Sequence, residues 1–336
     1  MSIPIHPTVT MYDSTKLATF QRCPREFLLH YVFGWNNPRN SHHLNFGVAW
    51  HLAMDYLLEH GPSLAVVKDA HNIFLTEWRK HYSEFDEAPF EPKTSANVLL
   101  ALSTYLKDYP FHDYEIMHIE IPGVVTIGYE GLERDLYVNM DGIARHIPTG
   151  LYWDIDHKTT TQLSGAWQNS FPRSIQVGSY IHTLMSLFPP HEVGGALING
   201  MVFRKNTLKG KGCEQAMVPV QRTLHQQGTW LHNTNATLFN IEGELNQLCN
   251  LTNPAAPPQL DYFPENKTSC IRYGSACPFY GICDGCSNPV RLLNKVGWED
   301  APPGFEKEFW NPSTHTNEKL DGAVAPTVDN FDTSGI

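Results

Sequence analysis

Residues 139–158 read NMDGIARHIPTGLYWDIDHK, and the alternation in and around this stretch decides how the rest of the chain is read. Leu136, Val138 and Met140 alternate with polar neighbours on the way in, the period of a half-buried strand. His146-Ile147-Pro148-Thr149-Gly150 carries turn residues, and Tyr152-Trp153-Asp154-Ile155-Asp156 leads out again. A hairpin folded about Pro148-Thr149 sets Asp141 roughly opposite Asp156. Side chains two apart on a strand share a face, so Asp154, Asp156 and Lys158 point the same way. Carboxylates directly across a ladder repel each other, and a cation between them removes that repulsion. Asp141, Asp156 and Lys158 therefore read as a divalent-metal site with a lysine beside it. The plain alternative is a solvated hairpin end.

At 336 residues the chain is long enough for one large domain or two smaller ones. An apolar content of 41% and a charged content of 18% are those of a globular protein, and 24 Gly with 24 Pro indicate many loops. No apolar run approaches the ~20 residues of a membrane span. The opening MSIPIHPTVTMYDS has no basic segment followed by an apolar core, so a cytoplasmic protein with no membrane partner is expected. The formal charge of −11 argues against a generic DNA-coating protein, because backbone binding is driven by Lys and Arg. An enzyme with a local basic groove stays open.

Outward from the hairpin, Ser14 is placed to cap a short helix with Leu17 and Phe20 on its apolar face, followed by Cys23-Pro24-Arg25-Glu26-Phe27 and Tyr31. After a polar loop at 36–45, Phe46-Gly47-Val48-Ala49-Trp50-His51 opens a helix running to about Glu59, stopped by His60-Gly61-Pro62. By itself His51 reads as a satisfied histidine on a partly apolar face. Helices are expected over 63–82 and 94–108, then a strand over 115–125. Gln176 and Tyr180 sit four apart on a helix from about 174 to 187 and share a face. A second hairpin, 195–203 with 216–220, carries Arg204, Lys205, Lys209 and Lys211, the densest basic patch in the chain and a candidate phosphate contact. A long helix is expected over 222–249. The chain after about Pro289 is poor in apolar residues and reads as loosely ordered.

Four of the seven cysteines, Cys270, Cys277, Cys283 and Cys286, crowd into one short window. Without an export signal that crowding favours metal ligation over disulfides. Four thiolates suit a structural zinc or an iron–sulfur cluster. Only Cys283 and Cys286 have C-x2-C spacing, so a cluster held by Cys270, Cys277 and Cys283 with one distant partner fits at least as well as a zinc ribbon.

Taken together, these pieces resemble the RecB-type branch of the PD-(D/E)XK nuclease superfamily. Within it they look most like the iron–sulfur exonucleases of phage and CRISPR-adaptation systems and the AddB nuclease domain. The resemblance rests on Cys23-Pro24-Arg25-x-Phe27 with Tyr31, His51 after Gly47, Asp141 in Met-Asp-Gly-Ile-Ala-Arg, Asp156-His157-Lys158-Thr159, Gln176 with Tyr180, and the late cysteines. It implies an α/β fold, with a restriction-endonuclease-like core of mixed sheet flanked by helices. A cysteine-ligated cluster would join the N- and C-terminal segments. The implied division is a helical segment at 1–45, a nuclease core at 46–250, a cluster segment at 251–288 and a flexible tail at 289–336.

The resemblance further implies metal-dependent hydrolysis of DNA, with exonuclease action on single-stranded ends, in phage or prokaryotic repair and recombination. A recombination or helicase protein is an implied partner, and no G-x-x-x-x-G-K-[ST] motor motif is present in the sequence. His51, Asp141, Asp156 and the carbonyl of Ile155 would hold Mg²⁺ or Mn²⁺. Lys158 would serve the attacking water or the phosphate, and Gln176 and Tyr180 would position the strand or the lysine. Cys23, Cys270, Cys277 and Cys283 would hold a [4Fe–4S] cluster, with Cys286 the alternative ligand. One departure stands out, because six residues separate Cys270 from Cys277 where the family commonly has two. The competing expectation is a non-catalytic DNA-binding or scaffolding subunit on the same fold.

Overall fold

The computed structural model describes residues 3–38, 41–128, 133–205, 212–250, 259–272 and 275–319. The principal elements in chain order are α1 (Ser14–Arg22), α2 (His42–His60), α3 (Leu64–Trp78), α4 (Ser95–Lys107), β1 (Tyr114–Ile127), β2 (Arg134–His146) and β3 (Tyr152–Thr160). They continue with α5 (Ile175–Leu187), β4 (Val193–Phe203), β5 (Cys213–Val220), α6 (Leu224–Cys249), α7 (Pro289–Val296), β6 (Glu306–Asn311) and β7 (Thr316–Lys319). Two compact units form, neither continuous in sequence: Met1–Arg39, Gly123–Val138 and Gly228–Ile336 in one, Asn40–Pro122 and Asn139–Gln227 in the other. Within the expected core at 46–250, residues 123–138 and 228–250 fall in the first of these units, and the second is interrupted once, by 123–138.

In the unit built from 40–122 and 139–227, β2 and β3 are antiparallel, β3 and β4 parallel, and β4 and β5 antiparallel. The sheet is thus mixed, and β3–α5–β4 is the helical crossover that a parallel pair requires. Central β4 is buried along nearly all its length, which is why GGALINGMVF reads as a continuous small and apolar run rather than an alternating one. Its register slips at Gly194, where the ring of Trp153 lies in the space a Cβ would need.

Helices cover both faces of this sheet. Phe46, Trp50, Met54 and Leu57 of α2 pack with Phe74 and Trp78 of α3 and with Leu102 and Tyr105 of α4. Beneath them lie Ala144, Trp153, Ile155 and Leu197 of the sheet. On the other face Val177 and Ile181 of α5 meet Ala196 and Ile198, while Tyr180 and Leu184 meet Met140 and Ile143. Helix α2 begins at Ser41, whose hydroxyl accepts the Leu44 N–H, and stops at Gly61, whose φ of +77° suits glycine.

In the other unit α1 is capped by Asp13, whose carboxylate accepts the Lys16 N–H at 2.7 Å, with Ser14 already helical. The buried Arg25 guanidinium donates to the carbonyls of Phe263 and Ser287. Residues 289–319 correct the expectation of a loose tail. They form α7 and the β6–β7 hairpin, which pairs with Trp35–Asn36. The reason is a few well-placed rings: Phe309 stacks on His6 at 4.2 Å, and Phe305 on Phe279 at 5.3 Å. Residues 320–336 lie outside the described residues.

Candidate active site

The β2–β3 ladder runs from Arg145–Tyr152 through Ala144–Trp153 and Ile143–Asp154 to Gly142–Ile155. This is the register of a turn centred on Pro148-Thr149, and the next step would oppose Asp141 to Asp156. There the ladder ends, and the Asp141 carboxylate instead accepts the backbone N–H of His157 at 2.7 Å. The same Oδ2 lies 3.2 Å from His51 Nδ1. Asp156, 1% exposed, accepts from the Lys158 amine through Oδ1 at 2.6 Å, while its buried Oδ2 has no hydrogen-bond partner among the described residues. His51, Asp141, Asp156 and Lys158 thus meet where two strands part beneath the middle of α2.

Electrostatics divides the carboxylates. Burial alone would raise the Asp141 carboxyl, but the charge and hydrogen bond of His51, with His157 and Lys158, outweigh it and hold Asp141 well below the ordinary aspartate value. Burial works to lower His51, and Asp141 more than offsets it. Asp156 is raised, by burial first and by repulsion from Asp141, against the pull of Lys158. Lys158 is held above the ordinary lysine value because Asp156 and Asp141 outweigh its own desolvation.

Among the described residues, no three His, Cys, Asp or Glu side chains stand ready-made as ligands of one ion. In this arrangement Lys158 pairs with Asp156 and His51 with Asp141. The donor set still fits a hard divalent cation, which takes carboxylate oxygens and tolerates a histidine. A buried oxygen of Asp156 is unpartnered. His51 Nδ1 and Asp141 Oδ2 are also separated by about what neighbouring ligands of an octahedral ion require, on the order of 3 Å.

Gln176 donates to the Tyr180 hydroxyl at 2.9 Å, which donates to the carbonyl of Asn139 at 2.8 Å. The pair therefore anchors the chain two residues before Asp141, with no hydrogen bond from either to the carboxylates among the described residues. Ile155 sends its side chain into the core under α2. In the basic hairpin Arg204 is paired with Glu214 at 2.7 Å and Lys205 is exposed. Lys209 and Lys211 lie outside the described residues.

Three acidic residues that sequence reasoning did not place in the site belong beside it. Asp55 follows His51 by one helical turn and hydrogen-bonds Glu120, with its Oδ1 buried and unpartnered among the described residues. Burial, then the charges of Asp141 and Glu120, push Asp55 up to about 8. Glu120 has a left-handed φ of +46° within β1, a strained conformation for a residue with a side chain. Asp154 is fully buried with neither oxygen partnered among the described residues, and burial with Asp156 and Asp141 raises it well above the ordinary value. The i, i+4 spacing of His51 and Asp55 and the period-2 placement of Asp154 were the available signals.

The cysteines gather in the other unit. Cys270 and Cys277 flank a short hairpin in which Ile271 pairs with Ala276 and Arg272 with Ser275, and the Cys277 N–H donates to the Cys270 carbonyl at 2.8 Å. Cys23, buried, accepts the Asn266 N–H through Sγ at 3.4 Å. Burial raises the Cys283 thiol to about 12, and Cys23 and Cys277 are close enough to add to the shift. None of these cysteines is paired in a disulfide. Cys286 turns to the Asn288 carbonyl at 3.1 Å.

No curated protein matches the sequence. A crystal structure from Eubacterium rectale, named as a candidate exonuclease, aligns over 77% of this chain and 92% of its own, at 12% identity and a TM-score of 0.47. The crystal structure of SSO0001 aligns over 57% of this chain and 86% of its own, at 12% identity and a TM-score of 0.27. Among the described residues no helix is long and apolar enough to cross a membrane. The family model of the PD-(D/E)XK nuclease superfamily matches residues 14–284. That span is well over half of the chain and includes His51, both facing carboxylates and Lys158, so the chain belongs to the PD-(D/E)XK nuclease superfamily.

Proposed function

We infer that the chain is a metal-dependent deoxyribonuclease, acting as an exonuclease on single-stranded ends in phage or prokaryotic DNA repair and recombination. The observation that carries the reading is the meeting of Asp141 and Asp156 at the parting of β2 and β3, with the Lys158 amine 2.6 Å from Asp156. Asp141, Asp156 and His51, with the Ile155 carbonyl, would hold Mg²⁺ or Mn²⁺. The ion when bound polarises a phosphate oxygen and offsets charge on the leaving oxygen. Lys158, once released from Asp156, orients the attacking water or stabilises charge on the phosphate. Tyr180, itself held by Gln176, donates to the Asn139 carbonyl and so supports the strand end that carries Asp141.

The same reading gives Cys23, Cys270, Cys277 and Cys283 a [4Fe–4S] cluster. In favour stand the hairpin that brings Cys270 beside Cys277 despite six intervening residues, and the proximity of Cys23 to Cys277 and Cys283. A cavity of ≈ 850 Å³ is also lined by Cys270, Cys283 and Arg25. Cys270 lines that cavity with Cys283 and Cys286 does not, which favours Cys270 as the remaining ligand. Anaerobic purification tests this, since a brown protein carrying iron and sulfide supports the cluster and a colourless one with stoichiometric zinc removes it.

For the activity itself, DNA labelled at one end, single- or double-stranded, is incubated with Mg²⁺ or Mn²⁺ and followed in time. Progressive shortening from an end of the single strand is expected. Internal cuts would replace exonuclease by endonuclease action, and binding without cleavage under either metal would favour the scaffolding alternative.

A further inference from the structure

Lys93 is 5% exposed, yet it takes no part in the chemistry above. Its amine donates to the Thr159 hydroxyl at 2.8 Å and lies 3.5 Å from the Thr159 carbonyl. It also sits 5.3 Å from the centre of the Phe46 ring. Burial pulls its pKa down to about 8, and among the described residues no carboxylate acts on it. An ammonium withdrawn from water without a counter-charge is costly.

The surroundings supply donors and a helix dipole rather than a counter-charge, because burial and the Lys93 charge lower both His42 and His43, which stand as neutral imidazoles. Phe46 belongs to the first turns of α2, whose opening residues are His42 and His43. His42 stacks on Phe90 at 4.6 Å, its ring 3.9 Å from that of His43, and both imidazoles feel the Lys93 charge. The start of a 19-residue helix contributes a partial positive charge of its own. A buried amine, two imidazoles and a helix start thus converge in a chain whose formal charge is −11. The spot adjoins Thr159, three residues beyond Asp156 on β3, or about 10 Å along the strand. That is too far to reach a phosphate at Asp156, and Thr159 leaves the strand on the opposite face, so the seat is reached only by nucleic acid that passes the end of β3.

We propose that Lys93, with His42 and His43 at the start of α2, seats a non-scissile backbone phosphate of the nucleic-acid strand. The proposal rests on the nuclease reading, because the strand it receives is the one whose scissile phosphate lies at Asp141, Asp156 and Lys158. The phosphate supplies the missing counter-charge, and the seat fixes how far the strand is threaded past the carboxylates.

The test is equilibrium binding of fluorescein-labelled oligothymidylate in EDTA, where cleavage does not interfere, across a series of salt concentrations. Lys93→Met is expected to bind about tenfold more weakly, the size of one charge-assisted hydrogen bond. The slope of log affinity against log salt is expected to fall by about 0.7, one phosphate contact to a single strand. Lys93→Arg should keep most of both. An unfolding midpoint for each variant identifies molecules that have simply lost their fold. The double variant His42→Ala, His43→Ala, at the less buried start of α2, carries the test if Lys93→Met is among them, with weaker binding expected and unchanged binding overturning the seat. A folded Lys93→Met with unchanged slope, or a wild type that does not bind the oligonucleotide, overturns the seat. Cleavage with an unchanged slope would sink the seat and keep the nuclease. Lys93-dependent binding without cleavage under any divalent metal would keep the seat and sink the nuclease.

Discussion

Replacing Asp55 by asparagine is expected to make the folded chain more stable above pH 7 and to leave it little changed near pH 4. The Asp55 carboxyl is raised from the ordinary 3.8 to about 8, by burial and by the charges of Asp141 and Glu120. The folded chain therefore keeps a proton that the unfolded chain has released. Stability falls wherever the folded state holds the extra proton, so this residue's penalty grows as pH rises from about 4 and is complete by about 8. From 3.8 to pH 7, at about 1.4 kcal/mol per unit, the ceiling is about 4 kcal/mol. Solvent reaches part of the carboxyl, which leaves about 1–2 kcal/mol. Urea unfolding of both proteins in EDTA at pH 5 and pH 8 measures it. The advantage of Asp55→Asn should widen between the two by that amount. Parallel behaviour at the two pH values, or an asparagine variant weaker at pH 8, would refute the reasoning.

Three further outcomes follow from the same geometry. Mn²⁺ at about a hundred times its dissociation constant should stabilise the wild type by about 2.7 kcal/mol, a rise of about 5–11 °C in Tm for a cooperative unit of roughly 150–250 residues. Scanning calorimetry of Asp156→Asn should show no such rise. Asp154→Asn, which removes a buried carboxyl with no partner among the described residues, should raise stability at pH 7 by about 1–3 kcal/mol, and a lower urea midpoint would mean that Asp154 is paired in solution. Tyr180→Phe should cost about 0.5–1.5 kcal/mol through the lost bond to the Asn139 carbonyl and slow cleavage as well. Unchanged unfolding and cleavage would show that the hydroxyl anchors nothing.

Much of the site's frame was legible because it is local. The alternation of Leu136, Val138 and Met140, with the Pro148-Thr149 turn, fixed a register in which Asp141 faces Asp156, and β2 and β3 pair in that register. The long helices were equally plain from their period and their stops. His51 was not, since a single imidazole on a helix says nothing about which strand lies beneath it. Only the family resemblance put His51 in the site. Asp55 was missed because an aspartate on an amphipathic helix reads as a solvated face. Its neighbour Glu120 takes part through a backbone conformation that no side-chain pattern announces.

The division into two interleaved units was hidden for a related reason. It depends on which remote segments meet, and β1 and β2 cross the boundary without any change in pattern. Between Cys270 and Cys277 the run Ile-Arg-Tyr-Gly-Ser-Ala is too short to show a strand period, so the hairpin that closes the six-residue gap was invisible. The tail was misread because scattered aromatic residues, rather than a periodic face, fold it onto the rest of its unit.

The most direct test of the central claim is the rate at which purified protein degrades labelled single-stranded DNA with Mg²⁺ or Mn²⁺. Wild type is compared with Asp141→Ala and Lys158→Ala, each shown to be folded by its unfolding transition. Two carboxylates gathering a cation beside an amine predict metal-dependent degradation by the wild type, and a loss of at least about a hundredfold in both variants. Equal degradation by all three proteins, or degradation unaffected by chelation of the metal, would contradict it.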